Sequence, residues 1–195
     1  TQSEHWLSPL LLLAWAILGR VQSEILPLLR GQEANAIGLP ENAHSAVWQD
    51  AQKTLWVRLR RRKHRPAGSL LSTPCECPRS PAHCAACRVA RYIEQQRIRV
   101  GAPLWPGATP AISLAALQRV LTLLGVAAPT SYTWKAVRAG HAAELALTPG
   151  VSLEDIMKRG EWRSGSVLAS VRPDDVHVPT FVAETLEMSD AEADE

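Results

Sequence analysis

The chain has 195 residues, of which 46% are apolar and 21% are charged, and this composition excludes a disordered or fibrous protein. Its length suits one globular domain with one ordinary core. The apolar run from Leu7 to Leu18 is shorter than the about 20 residues needed to cross a bilayer, and it lacks the flanks of a secretory signal. We therefore expect an intracellular chain that does not bind a membrane.

Charge is distributed unevenly along the sequence. Residues 174–195 carry eight Asp or Glu and no Lys or Arg, so residues 1–173 carry 21 basic against 11 acidic side chains. A part this basic favours a polyanionic partner. We expect residues 1–173 to form the domain and residues 174–195 to be a disordered tail. That tail is either an acidic competitor for the basic surface or a solubilising end.

The first elements are predicted from periodicity. Residues 5–30 repeat apolar side chains at helical spacing and predict one or two helices, whereas residues 31–45 show no periodicity and predict a loop. From residue 54 to 60 the pattern alternates, with Leu55, Val57 and Leu59 on one face of a strand. This strand and residues 46–48 predict a β-hairpin that turns at residues 49–53.

The second strand of the hairpin continues into a basic segment. Pro66, Gly68 and Pro74 then end the strand pattern. We predict that the cations of this segment bind phosphates, and they are Arg58, Arg60, Arg61, Arg62, Lys63 and Arg65.

Four cysteines follow within thirteen residues, in the pattern Cys75-x-Cys77-x6-Cys84-x2-Cys87. An intracellular chain keeps its thiols reduced, so metal ligation is favoured over disulfides. Four soft ligands suit tetrahedral zinc, and the prolines of this segment favour a tight knuckle. The spacing predicts a structural zinc site over residues 73–88, with free reduced thiols as the alternative.

The second half of the chain predicts a helical bundle. Helices are expected over residues 86–99, 111–124 and 134–147. Ser152 and Asp155 form a capping box that opens a short helix ending at Gly160, and Ser164 is placed to cap a last helix before Pro173.

Two segments of this half contain residues suited to phosphate chemistry. Lys135-x2-Arg138 begins one helix, and Gly160-x-Trp162 follows the next. Near the N-terminus, Arg20 precedes an acid, Glu24, by four residues, which alone would also fit a surface ion pair. In this order the segments resemble the active-site boxes of tyrosine recombinases and phage-type integrases, most closely the eukaryotic, transposon-derived branch. The resemblance spans about residues 5–173.

This resemblance implies an α+β, mostly α catalytic domain with a small antiparallel β-hairpin or sheet. It also implies that Arg20, Lys135, Arg138 and Trp162 surround the scissile phosphate, although Trp162 also fits a plain core residue. Arginine suits this role because its planar, permanently charged fork can bind two phosphate oxygens. Lys63 corresponds to the hairpin lysine that protonates the leaving oxygen, with its exact position open by one or two residues.

One position departs from the family pattern. The register of Val167-Leu-Ala-Ser-Val171 puts Ser170 where the family has its nucleophilic tyrosine. A serine hydroxyl is less acidic than a phenol and reaches less far, so we expect this copy to be catalytically inactive. The chain has two tyrosines, Tyr92 and Tyr132, and neither is at the matching position, which leaves a tyrosine from a partner subunit as an alternative.

The resemblance also implies partners and location. Related eukaryotic sequences have a Cys-x-Cys and a Cys-x2-His after the basic hairpin, so Cys87 replaces that His. Double-stranded DNA is the expected partner, with a homo-oligomer formed on DNA, a nuclear location and no cofactor for catalysis or small-molecule substrate. We expect the chain to be a piece of a longer protein with a core-binding domain before it. The alternatives are a non-catalytic, zinc-stabilised nucleic-acid-binding module and a decaying fragment that does not fold alone.

Overall fold

The computed structural model describes residues 5–32, 44–62 and 67–160, and within them the protein is α+β, as predicted. Its helices are α1 (Leu7–Ala16), α2 (Ala85–Gln95), α3 (Pro110–Leu123), α4 (Trp134–Leu147) and α5 (Leu153–Gly160). Its strands are β1 (Leu29–Arg30), β2 (Ala46–Gln49), β3 (Leu55–Leu59) and β4 (Ser69–Thr73). The chain divides into two compact units, Thr1–Trp134 and Lys135–Glu195, and each is described by itself.

The core of the first unit is built around α1. This helix is apolar on nearly all sides, which is typical of a helix enclosed by other elements, and Leu10 and Leu13 are fully buried. It packs against α2 and α3. A short π-helical turn, Val21–Ile25, follows it and places Glu24 inside the protein. No helix in the described part of the chain is long and apolar enough to span a membrane.

The sheet has the strand order β1-β2-β3-β4. The predicted hairpin is confirmed: β2 and β3 pair in antiparallel fashion, and Leu55, Val57 and Leu59 are buried on one face. α2 covers this face, since it packs against β2 and β3 and the Gln49 side chain donates to the carbonyl of Ala86. The opposite face of β3 therefore presents half-buried Trp56 and Arg58.

The hairpin turn is fixed by one carboxylate. Asp50 accepts hydrogen bonds of 2.8 Å from the Trp56 indole and 2.8 Å from the backbone N–H of Thr54. The indole bond first, and then the backbone bonds, lower the pKa of Asp50 below its usual value. Lys53 closes the turn in a left-handed conformation, with φ 61°.

Two strands were not predicted, so the sheet is larger than a hairpin and is mixed rather than wholly antiparallel. β1 pairs parallel to β2, in a segment predicted as helix, because Leu29 and Arg30 are too few to show an alternating pattern. β4 pairs antiparallel to β3, although Gly68 and Pro74 predict that no strand forms in this segment. Gly68 has φ 76° and instead lets the chain return to the sheet, where any Cβ would clash with the Leu59 carbonyl.

The predicted helices after the cysteines are confirmed, with boundary shifts of a few residues. Thr109 caps α3 by accepting from the Ile112 N–H, and the Trp134 indole donates to the Ser113 hydroxyl at 3.1 Å. The capping box before α5 is also confirmed, since the Ser152 hydroxyl accepts from the Asp155 N–H while the Asp155 carboxylate accepts from the Ser152 N–H. The Ser152 hydroxyl also donates to this carboxylate at 2.7 Å, and this bond first, then the one from the Ser152 N–H, lowers the pKa of Asp155.

Several predicted features lie outside the described residues. They are the cap at Ser164, the helix before Pro173, the acidic tail, and the site residues Lys63, Arg65, Trp162 and Ser170.

Candidate functional site

The four cysteines form one cluster between the sheet and α2. Cys75 comes two residues after the end of β4, Cys84 is the N-cap residue of α2, and Cys87 lies in its first turn. The strand and the helix therefore deliver ligands from two sides, and Cys77 comes from the loop between them. All four sulfur atoms lie within 4.8 Å of one another.

The spacing of the sulfur atoms fits a metal ion. The Cys75 and Cys87 sulfurs are 3.4 Å apart and those of Cys75 and Cys84 are 4.0 Å apart. Four sulfurs arranged tetrahedrally at metal–sulfur bonds of about 2.3 Å are separated by about 3.8 Å. The cluster can therefore hold one ion of a thiophilic metal, as predicted.

The surroundings of Cys84 favour a thiolate, the form that binds metal. Burial alone raises the pKa of this thiol, but the backbone N–H groups of Cys87 and Glu76, aided by the neighbouring cysteines, lower it to about 7. The Glu76 N–H lies 3.2 Å from the Cys84 sulfur. Such N–H to sulfur bonds orient a ligand and compensate its charge.

A second cluster forms around Glu24, which sequence spacing had paired only with Arg20. The Glu24 carboxylate is buried and accepts from the Arg20 backbone N–H at 2.8 Å and from the Arg20 guanidinium at 3.3 Å. The Arg20 side chain remains 34% exposed, so it reaches the protein surface. This is not a surface ion pair, because the acid is inside the protein.

The other partner of Glu24 is Arg62. Its guanidinium makes a bidentate pair with the carboxylate, at 3.0 and 3.1 Å, and its side chain is only 2% exposed. Arg62 was predicted to bind phosphate, but its side chain is buried on Glu24, so we assign it to the protein interior instead. Sequence spacing gave no signal for this pair, because the two residues are 38 positions apart.

This pair brings the basic segment next to Arg20. Arg61 is exposed, and Arg58 and Arg60 are half-buried on the outer side of β3. Arg60 and Arg61 directly precede Arg62, so their Cα atoms lie within about 8 Å of the Arg62 Cα. Two parts of the predicted phosphate site, the first arginine and the hairpin, therefore meet in the structure.

The second unit contains the other predicted arginine. Lys135 is exposed and Arg138 is half-buried, one turn apart on α4. The Arg138 guanidinium donates to the carbonyl of Gly160 at 2.7 Å, so the two boxes that contain these residues meet at the end of α5. His141 lies 3.2 Å from the carboxylate of Glu144, and this contact is local to α4.

Neither tyrosine is placed as a nucleophile. Tyr92 is buried and stacks on Trp105 with ring centroids 5.4 Å apart, and burial raises its pKa to about 12. A phenol this reluctant to ionise is a poor nucleophile. Tyr132 follows a short 3₁₀ turn, where its backbone carbonyl accepts from Gln118.

Comparison with known proteins gives no match: no family model, curated protein or solved structure is similar to this chain. Its function is therefore inferred from its residues and their geometry.

We predict that replacing Glu24 by Gln lowers the free energy of unfolding by about 3–5 kcal/mol. The change removes the carboxylate charge that makes a bidentate pair with the buried Arg62, and breaking a buried ion pair is costly. Urea unfolding measures the loss. The matched control is Glu144→Gln, whose side chain is 62% exposed and should lose under about 1 kcal/mol. Equal losses in both variants would show that the buried pair is not a structural requirement.

Proposed function

We propose that the chain is a DNA-binding domain of tyrosine recombinase type, associated with DNA recombination and integration, in a degenerate copy that no longer cleaves DNA. The observation that carries the proposal is the Glu24 cluster. An arginine whose side chain is 34% exposed is held by a buried carboxylate at the end of a basic hairpin. This arrangement suits a phosphate-binding role.

The physical reason lies in how Arg20 is held. Glu24 binds both the Arg20 guanidinium and the Arg20 backbone N–H, so side chain and backbone are fixed together. A cation fixed before binding loses less conformational entropy when it meets a phosphate, and its planar fork can bind two oxygens. Arg60 and Arg61, the two residues before Arg62, add positive charge to the same end of the hairpin.

The second unit is consistent with the proposal. Arg138 is oriented by the Gly160 carbonyl, and Lys135 is exposed one turn earlier on the same helix. In the proposed role both donate to a DNA phosphate, with Trp162 beside them. Lys63 would protonate a leaving oxygen in an active relative, and Ser170 takes the place of the nucleophile.

We propose further that the cysteine cluster binds zinc. Four sulfur ligands suit this ion, and softness alone does not separate it from iron, but a four-coordinate structural site is the commonest use of such a set. The ion would tie the end of β4 to the start of α2. Its role is therefore structural.

The alternative is a non-catalytic, zinc-stabilised module that holds nucleic acid for architecture or regulation. The cysteine cluster and the basic hairpin fit this module as well as they fit a recombinase-type domain, because neither feature requires a phosphate pocket. The two functions differ in whether Arg20 and Lys135 contribute to binding.

The zinc site predicts that the purified chain carries about one zinc ion and that a chelator lowers its melting temperature, since metal binding contributes folding free energy. Cys84→Ser should lose the ion, as measured by elemental analysis after gel filtration. His83→Ala is the control: this exposed His contacts Ser80 and is outside the cluster, so the ion should remain. Zinc retained by Cys84→Ser, or lost from His83→Ala, would show that the ligand set is wrong.

The recombinase-type function predicts that Arg20→Gln and Lys135→Gln each weaken binding to a nicked duplex by about tenfold to a hundredfold, since charge-assisted hydrogen bonds contribute about 1.5–3 kcal/mol. Fluorescence anisotropy over a salt series measures this. Lys158→Gln, an exposed cation on α5, is the control and should bind as wild type. If only charge reversal of Arg60 and Arg61 weakens binding, the non-catalytic module is the correct function.

The recombinase relationship predicts that Ser170→Tyr forms a detergent-stable adduct with a nicked duplex. The phenol oxygen would attack the phosphorus, form a 3′-phosphotyrosine and release a 5′-hydroxyl. Ala169→Tyr adds the same side chain about 100° away around the predicted helix and should give no adduct, and Arg20→Gln should abolish the adduct of the first variant. An adduct with the unmodified chain would mean that the nucleophile lies elsewhere.

A further inference from the structure

A second basic surface lies on α2, outside the Glu24 cluster. The helix buries Val89, Tyr92 and Ile93 in the core. Its opposite face presents Arg88 and Arg91, which are three residues apart and both exposed. Sequence analysis predicted no ligand for these two arginines. The stretch from residue 78 to 100 nevertheless contains five arginines and a single acid, Glu94.

The surface continues beyond the end of the helix. Arg97 and Arg99 are exposed, and the Arg30 guanidinium donates to the carbonyl of Ile98 between them. Three cations from two distant parts of the chain therefore gather at the C-terminal end of α2. Among the described residues, no carboxylate forms an ion pair with these three or with Arg88 and Arg91.

Arg97 has a backbone conformation that favours glycine. Its φ is 50°, and the chain ends the helix there with bonds from the Arg97 N–H to Glu94 and from the Ile98 N–H to Ile93, the geometry of a Schellman motif. Any side chain costs free energy in this left-handed region. Attraction to the helix C-terminus accounts for a cation near this end but not for one at the strained position. Leu18, Lys53 and Ala128 have the same left-handed conformation, so strain alone assigns no use to Arg97; its exposed charge next to Arg99 and Arg30 is what points to a ligand.

We propose that this α2 surface, defined by Arg30, Arg88, Arg91, Arg97 and Arg99, binds the phosphate backbone of a second DNA segment. Arg88 and Arg97 are about 14 Å apart along the helix axis, a length over which a duplex presents about eight phosphates. That the ligand is duplex DNA rests on the proposed function. That it is a second segment follows from the sheet, because α2 covers one face of β3 and Arg58 lies on the other.

Bridging of two duplexes tests the proposal. The chain is bound to a duplex on beads, and capture of a second, labelled duplex from solution is measured. Wild type should capture it, whereas Arg88→Gln with Arg91→Gln, and Arg97→Gly alone, should stay on the beads but lose capture by about tenfold or more.

Arg97→Gly also separates binding from folding. Relief of the left-handed strain should raise the melting temperature by about 2–4 °C, so lost capture cannot come from unfolding. Lys53→Gly is the matched control, because it also removes a cation from a left-handed position, with φ 61°. Its melting temperature should rise and capture should stay as in wild type.

Three outcomes would overturn the inference. If the α2 variants capture the second duplex as well as wild type does, the surface does not hold DNA and any bridging comes from oligomers. Equal loss with Lys53→Gly would indicate an unspecific charge effect. Unchanged capture with weaker binding of the α2 variants to phosphatidylserine vesicles would identify a lipid surface. The proposed function fails separately, if reversing the charges of Arg60 and Arg61 changes neither retention nor capture.

Discussion

The structure of the first unit depends on one buried carboxylate. Glu24 is removed from water, and a charge in that position is tolerated only when it is paired and hydrogen-bonded. Arg20 comes from the same turn and Arg62 from the far end of β3, so the N-terminal segment and the hairpin are fastened to each other. A shift of either would break an ion pair of the buried Glu24. This constraint fixes the positions of Arg20 and of the backbone that precedes Arg62.

The cysteine cluster imposes a similar constraint near the opposite end of β3, where Thr73 pairs with Leu55. It joins the end of β4 to the start of α2, and α2 packs on the buried face of β2 and β3. A metal ion at this junction would fix the helix against the sheet at its N-terminal end. At the other end, the Arg30 contact with the Ile98 carbonyl ties the segment after α2 to β1. The helix is thus held at both ends by contacts between residues distant in sequence.

Local patterns in the sequence were sufficient for much of this fold. The hairpin followed from alternation at Leu55, Val57 and Leu59, and α5 followed from its capping box, since both signals involve residues a few positions apart. β1 was missed because a strand of two residues shows no alternating pattern. β4 was missed because Gly68, which predicts the end of a strand, lies in the turn between β3 and β4. At the site, the cysteine spacing predicted the cluster, but Arg62 was misassigned because its partner is 38 residues away.

The contrast between Arg61 and Arg62 explains why charge counts overstate a binding surface. The two residues are adjacent, yet one is exposed and the other is inside the protein on Glu24, because successive side chains of an extended chain point to opposite sides. A run of cations therefore divides into residues that hold the fold and residues that face solvent. On α2 the outcome is different, because residues three apart lie on the same face of a helix. Both Arg88 and Arg91 are therefore exposed. A short basic run on a strand is thus divided between the two faces, whereas arginines spaced by helical turns supply one continuous surface.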